Sequence, residues 1–244
     1  MNKNYFADIA FLFALSLHGK PIEIHDTIHS VRDLAPRVAL TLDACSGHYD
    51  GALIEFLILN RIPATLFLTE KWIDQNSAGV GVIKAHLDLF DIEDHGANHI
   101  PAVIGPGKRV FGIAGEPDEL HLRNEVIGGA QAIFIAFGVV PKWYRAATGE
   151  YDREAIGDIN KLGYKIAGFS VNADAGATLN ASQIQRKFHD VKDGDVILAH
   201  MNKPSSESAK GLSFGLLGLL SRGFRFVRLD EVELQLEQPA ARAH

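Results

Sequence analysis

Seven short apolar, β-rich runs recur along this chain with helical patterns between them: Val38–Leu42, Ala64–Leu68, Phe90–Glu93, Trp143–Ala146, Lys165–Val171, Val196–Ala199 and Phe224–Leu229. Strands that alternate with helices return to the same sheet in parallel, because the crossover helix carries the chain back to the starting edge. Asp50 stands where a helix N-cap is wanted, before apolar residues at helical spacing up to Leu59, and Asn180 or Ser182 can open Ile184–Val191 in the same way. The pattern predicts a mostly parallel sheet covered by helices, closed into a barrel or left open. No Pro/Ser-rich linker, charge block or repeat interrupts the 244 residues, so one α/β domain is expected, with residues 36–244 as its body and 1–35 as an N-terminal extension.

In such folds the chemistry gathers where the strands end, because the loops leaving their C-terminal ends share one rim. Asp43 follows the first run, His95 and His99 the third, Arg145 ends the fourth, Asp174 follows the fifth and His200 ends the sixth. His95 and His99, four residues apart, can turn onto one ion, and two imidazoles, a carboxylate and water make up a hydrolytic zinc site. Eleven histidines in the chain make the spacing weak by itself; the shared rim strengthens it.

Composition narrows the partners. A formal net charge of -6 and a pI near 6 argue against nucleic acid, whose phosphates demand a basic stripe. The lone Cys45 excludes an internal disulfide and says nothing about compartment. It sits near the rim but is read as a small buried thiol rather than a nucleophile, since no Cys-His pairing is indicated. The apolar segment Ile9–Leu15 has the look of a short signal core interrupted by Asp8, or of a first helix or strand, and is too short to span a bilayer, so no stable membrane span is expected.

These residues resemble the polysaccharide deacetylases of the NodB-homology type, also grouped as carbohydrate esterase family 4, over roughly Pro36 to Leu229. Thr41-Leu42-Asp43-Ala44 is similar to that family's T-F-D-D, His95-Gly96-Ala97-Asn98-His99 to its H-S-x-x-H, and Leu198-Ala199-His200 to its closing apolar-x-His. Arg145 alone represents the R-x-P-Y motif, and Asp174 is the nearest candidate for an Asp that steadies that Arg. The resemblance implies an irregular (β/α)7-type barrel and a hydrolase that removes N-acetyl groups from amino-sugar polymers or oligosaccharides. It implies a divalent metal, zinc in the first instance, on His95 and His99, with Asp43 as base and His200 as acid or oxyanion partner. Arg145 would hold the Asp43 pKa down, and Asp174 would orient the guanidinium. The substrate class favours a periplasmic or exported location over a cytoplasmic one.

One departure matters: the family's second Asp, a metal ligand, is Ala44 here. The missing ligand is sought in Asp50, with His48 or Asp43 itself as alternatives. Ala44 also keeps two other readings open, a hydrolase of another non-peptide C–N bond and an inactive carbohydrate-binding pseudoenzyme. Asp174 can equally be a turn former, Arg145 a surface partner of Glu150, and His200 a hydrogen-bonded rim residue. Trp143 or Tyr144 is a candidate for stacking on a sugar, the other being core.

Overall fold

The computed structural model describes residues 20–29 and 35–236. The signal-like segment Ile9–Leu15 lies outside the described residues. In chain order the elements are β1 (Ile22–Glu23), β2 (Asp26–Ile28), β3 (Arg37–Ala44), α1 (Gly51–Leu59), β4 (Ala64–Leu68), α2 (Glu70–Gln75), α3 (Ser77–Lys84) and β5 (Phe90–Asp94). A hairpin, β6 (Arg109–Val110) and β7 (Ile113–Ala114), then precedes the long α4 (Glu119–Phe137), β8 (Trp143–Tyr144), β9 (Glu150–Tyr151) and α5 (Arg153–Lys161). The chain continues through β10 (Lys165–Ile166), β11 (Val171–Asn172), α6 (Ala181–Lys187), β12 (Val196–His200), α7 (Ser208–Ser221), β13 (Arg225–Val227) and β14 (Leu234–Leu236).

The main sheet runs β10-β8-β5-β4-β3-β12-β11, all parallel, with β13 added against the first half of β3. β3 is its longest strand, and seven of its eight residues are buried, as expected of a parallel strand paired on both sides. The two ends of this order, β10 and β11, come from one stretch of chain, Lys165–Asn172, interrupted only by residues 167–170. The sheet therefore curls until its edges meet in a single run, giving the seven-stranded barrel-like α/β fold expected of the sequence. The run read as one strand, Lys165–Val171, is in fact two.

Strand alternation sorts the side chains. Leu40, Leu42 and Ala44 of β3, Leu66 and Leu68 of β4 and Ile197 and Ala199 of β12 join a core shared with α1, α6 and α7. Ala39, Phe67, Val196 and Leu198 join a second core on the other face, with Trp143 and Phe169. Asp43 and His200 share the parity of this second set, so the period of two turns them inward. Asp50 caps α1, its carboxylate accepting from Leu53 N, and Asn180 caps α6 in a reciprocal box with Gln183.

Residues 22–28, ahead of position 36, take part in the fold. β1 pairs antiparallel with β9 and β2 with β14. Between these strands the chain crosses the seam of the barrel: Phe169 N donates to Ile24 O at 3.3 Å and Gly168 N to the Asp26 carboxylate at 2.8 Å. A side chain at Gly168 would run into the Ile24 backbone, so this crossing needs glycine.

Candidate metal and catalytic centre

The C-terminal ends of β3, β5, β8 and β12 converge on one cavity of about 450 Å3, within the range of small-ligand sites. Asp43 and His200 lie side by side, being register partners in the β3–β12 ladder. Arg145 N donates to Asp94 O, which sets the end of β8 beside the His95 loop.

His95 is buried and its two ring nitrogens are distinct. Nδ1 lies 2.6 Å from Arg145 O, and a carbonyl can only accept, so Nδ1 carries the proton. That leaves Nε2 as a lone-pair donor facing Cys45 Sγ at 3.6 Å and Asp43 Oδ2 at 3.7 Å. The His99 ring stands edge-on to it, with centroids 4.9 Å apart. One ligand atom from each of Cys45, His95 and His99 lies within 4.8 Å of the others, and among the described residues this is the one cluster with metal-site geometry. The donor set fits a transition metal: two imidazoles and a thiolate suit zinc, and the Nδ1–carbonyl bond of His95 is the orienting contact that ligating histidines normally have.

Asp50 is not part of this cluster. Its Oδ1 caps the first turn of α1, as the N-cap reading allowed, and His48 is exposed on the loop. Cys45 stands in the place sought for the missing ligand, and it pairs with histidine after all. The reason is local. Ala44 ends β3 with its side chain in the outer core, and at the next residue the strand stops and the chain turns over the rim.

The electrostatics follow from burial and pairing. Burial opposes ionisation of Asp43, yet Arg145, His95 and His200 outweigh it and hold the carboxyl below its ordinary range. The Arg145 guanidinium, 1% exposed, donates to Asp43 Oδ1 at 2.8 Å, Thr41 Oγ1 at 2.9 Å, Ala167 O at 3.1 Å and Gly168 O at 3.0 Å. Its flat face rests on Phe67, 4.2 Å from the ring centre. Desolvation also resists charge on Cys45, but hydrogen bonds from His200, His95 and His99 bring its thiol well below the usual value. Burial would lower His95, but Asp43 and Cys45 raise it to about 9, so without an ion Nε2 also holds a proton, which a bound metal would displace to reach the lone pair.

Asp174 does not touch Arg145, contrary to the expectation that it orients the guanidinium. It holds His200 instead: Oδ1 meets His200 Nδ1 at 2.8 Å, and Oδ2 accepts from His200 N at 3.0 Å and Ser208 Oγ at 2.9 Å. Although burial works against the imidazolium, the hydrogen bond to Asp174 keeps His200 well above its usual value. Adjacent pairing of β11 with β12 brings the two residues together, since Ala173 N bonds to Leu198 O next to the ladder. Trp143 and Tyr144 are both buried, at 6% and 0% exposure, so neither offers a face to a sugar.

A residue that the sequence does not single out fixes the histidine loop. Glu125, buried on α4, accepts from Asn98 N and Ile100 N, the amides on either side of His99, at 2.9 and 3.1 Å. A lone Glu on a helix carries no signal in a single sequence.

Comparison with known proteins bears on this geometry. The polysaccharide deacetylase family model matches residues 31–167, more than half of the chain. The chain belongs to the polysaccharide deacetylase family. Its fold is similar to that of the Bc1960 peptidoglycan N-acetylglucosamine deacetylase (TM-score 0.69, 21% identity, 85% of this chain and 90% of that one). It is also similar to a family 4 acetyl xylan esterase from Clostridium thermocellum bound to cobalt (TM-score 0.65, 20% identity, 80% and 88%). A third likeness is to BA3943, a CE4 family pseudoenzyme from Bacillus anthracis (TM-score 0.65, 16% identity, 82% and 66%). No curated protein matches the sequence. Among the described residues no helix is long and apolar enough to cross a membrane.

Proposed function

We propose that this protein is a metal-dependent hydrolase that removes N-acetyl groups from amino-sugar polymers or oligosaccharides, with zinc held by Cys45, His95 and His99. The observation that carries the reading is the convergence of these three donors beside the Asp43–Arg145 pair and across from the His200–Asp174 pair, in one cavity. The bound ion would polarise the amide carbonyl and acidify a water. Asp43, ionised and fixed by Arg145, takes the proton from that water as it attacks the acetyl carbon. His200, held protonated by Asp174, donates to the departing amine nitrogen, and the products are acetate and a free amino sugar. Burial of Arg145 keeps Asp43 aimed, and the apolar wall of Phe169 and Leu198 limits water in the cavity. The substrate class favours a periplasmic or exported setting.

The test is metal content and acetate release together. Protein purified without chelator should carry about one equivalent of zinc, and His95→Ala should lose both the metal and acetate release from N-acetylglucosamine oligomers. Metal-free protein whose acetate release survives His95→Ala would overturn the reading. Ala44, where the family's ligand Asp is absent, supports a second reading as an inactive sugar-binding relative. That reading requires oligomer binding with no acetate release even after zinc is supplied.

A further inference from the structure

Backbone strain in this molecule is gathered around the proposed active site. Among the described residues six that are not glycine have a left-handed φ, and four of them, His99, Phe111, Thr148 and Ala175, line the one cavity. Such conformations persist where the surrounding structure and a function demand them. His99 is accounted for as a ligand; Phe111 is the least expected of the others. It forms, with Gly112, the two-residue turn of the β6–β7 hairpin, with φ of 48° and 81°. A turn with both central residues left-handed favours Asn-Gly or Asp-Gly, and an aromatic residue in its first position is unfavourable.

The side chain gains nothing from the fold in return. Phe111 is 80% exposed and Ile113, beside it, 40%, yet both border the cavity that holds Asp43 and His95. The hairpin beneath them is firmly seated. Val110 is buried, Arg109 Nη1 bonds to Gly112 O at 2.7 Å, and Gly115 N closes onto Lys108 O at 3.0 Å. Lys108 pairs at 2.8 Å with Asp152, which also accepts from Ile104 N and caps α5. A rigid arm thus presents an apolar ring to solvent at the mouth of a polar site.

We infer that Phe111 contacts substrate, stacking on the sugar ring next to the one that bears the reacting N-acetyl group, and so makes the site selective for an oligosaccharide over a single sugar. This rests on the deacetylase reading above. The C–H face of a pyranose is apolar and about as wide as a phenyl ring, and a rigid aromatic side chain covers it with little entropy to lose. A single sugar seated at the metal leaves Phe111 uncovered; a neighbouring ring covers it.

The experiment compares acetate release by the zinc-loaded full chain from the β-1,4-linked N-acetylglucosamine tetramer and from the monosaccharide. Phe111→Asn, which suits the turn, should raise the melting temperature while raising KM for the tetramer about five- to tenfold, lowering the tetramer-to-monomer ratio of kcat/KM. Phe111→Tyr should restore that ratio. A Phe111→Asn ratio equal to the parent's, or a parent without preference for the tetramer, overturns the inference. Absence of acetate release from both sugars by the parent instead refutes the deacetylase reading, and the inference falls with it.

Discussion

At the scale of the residue, the proposed zinc site replaces the family's carboxylate by a sulfur one position further along. Ala44 belongs to the outer core with Leu40 and Leu42 and carries no donor atom. Cys45, where the strand ends, does reach the histidines. The substitution changes the chemistry of the donor set as well as its place, because thiolate prefers zinc or cobalt over the hard ions that carboxylates accept. Cys45→Ser should therefore lower zinc affinity by at least tenfold, while Cys45→Asp should keep a site but shift its preference toward manganese and magnesium. Competition titrations with a chromophoric chelator read both. Equal affinities for zinc in all three proteins would show that Cys45 is not a ligand.

The sequence made the histidine pair, Asp43, Arg145 and His200 legible because each follows a strand, and strands announce themselves by composition. Cys45 carries no such signal, because a lone thiol reads as a small buried side chain until the fold shows which histidines face it. Asp174 was placed correctly on the rim but with the wrong partner. Which strand neighbours which is a property of the sheet order, and here β11 lies beside β12 while Arg145 follows β8 on the far side of β3.

Among the elements, β5 carries an unusual load of buried acid. Glu93 is 2% exposed, and its Oε2 accepts from Lys142 N and Trp143 N, both at 2.7 Å, pinning the start of β8. Burial, aided by Asp91, lifts its pKa from 4.5 to about 8. An acid whose folded value is raised loses its proton first in the unfolded chain, so stability declines as pH climbs from about 4.5 to about 8 and levels off above. The decline attributable to Glu93 amounts to a few kcal/mol, up to about 5. Glu93→Gln keeps the accepting oxygen and removes the titration, so urea unfolding at pH 5, 6.5 and 8 should show a flatter profile than the parent's. A parent profile that rises between pH 5 and 8 and is unchanged by the substitution would contradict this. The hairpin of β6 and β7 shows the opposite limit of sequence reading: its four paired residues are too short a pattern to register, and its turn carries the wrong residue for its type.

For the whole molecule, closure of the barrel depends on a stretch that the sequence set apart as an extension. Asp26 is buried and bonded to Gly168 N, and β1 and β2 tie this crossing to β9 and β14. Asp26→Ala should cost about 1–3 kcal/mol by leaving that amide unpaired, read as a loss of denaturant midpoint, whereas a change at an exposed position of the same stretch, such as Lys20→Ala, should cost well under 1 kcal/mol. The parallel α/β architecture was plain from the alternation of runs, and its closure into a barrel from the family resemblance. The split of Lys165–Asn172 into two strands was not, because the break is imposed by curvature rather than by any breaker stronger than Gly168.

That break has a further consequence. Residues 167–170 have every amide bonded, but to four unrelated acceptors: Tyr144 O, the Asp26 carboxylate, Ile24 O and Val196 O. The carbonyls of Ala167 and Gly168 are thereby left free of any ladder, and they are two of the oxygens that receive the buried Arg145. A fully regular closure would engage those oxygens in strand pairing and leave Nε and Nη2 of the guanidinium without acceptors in the interior, with only Nη1 still held by Asp43 and Thr41. The barrel's irregular seam completes the housing of a permanent positive charge, and a designer who tidied the seam into ideal strands would be left with a better barrel and an arginine gripped at one corner only.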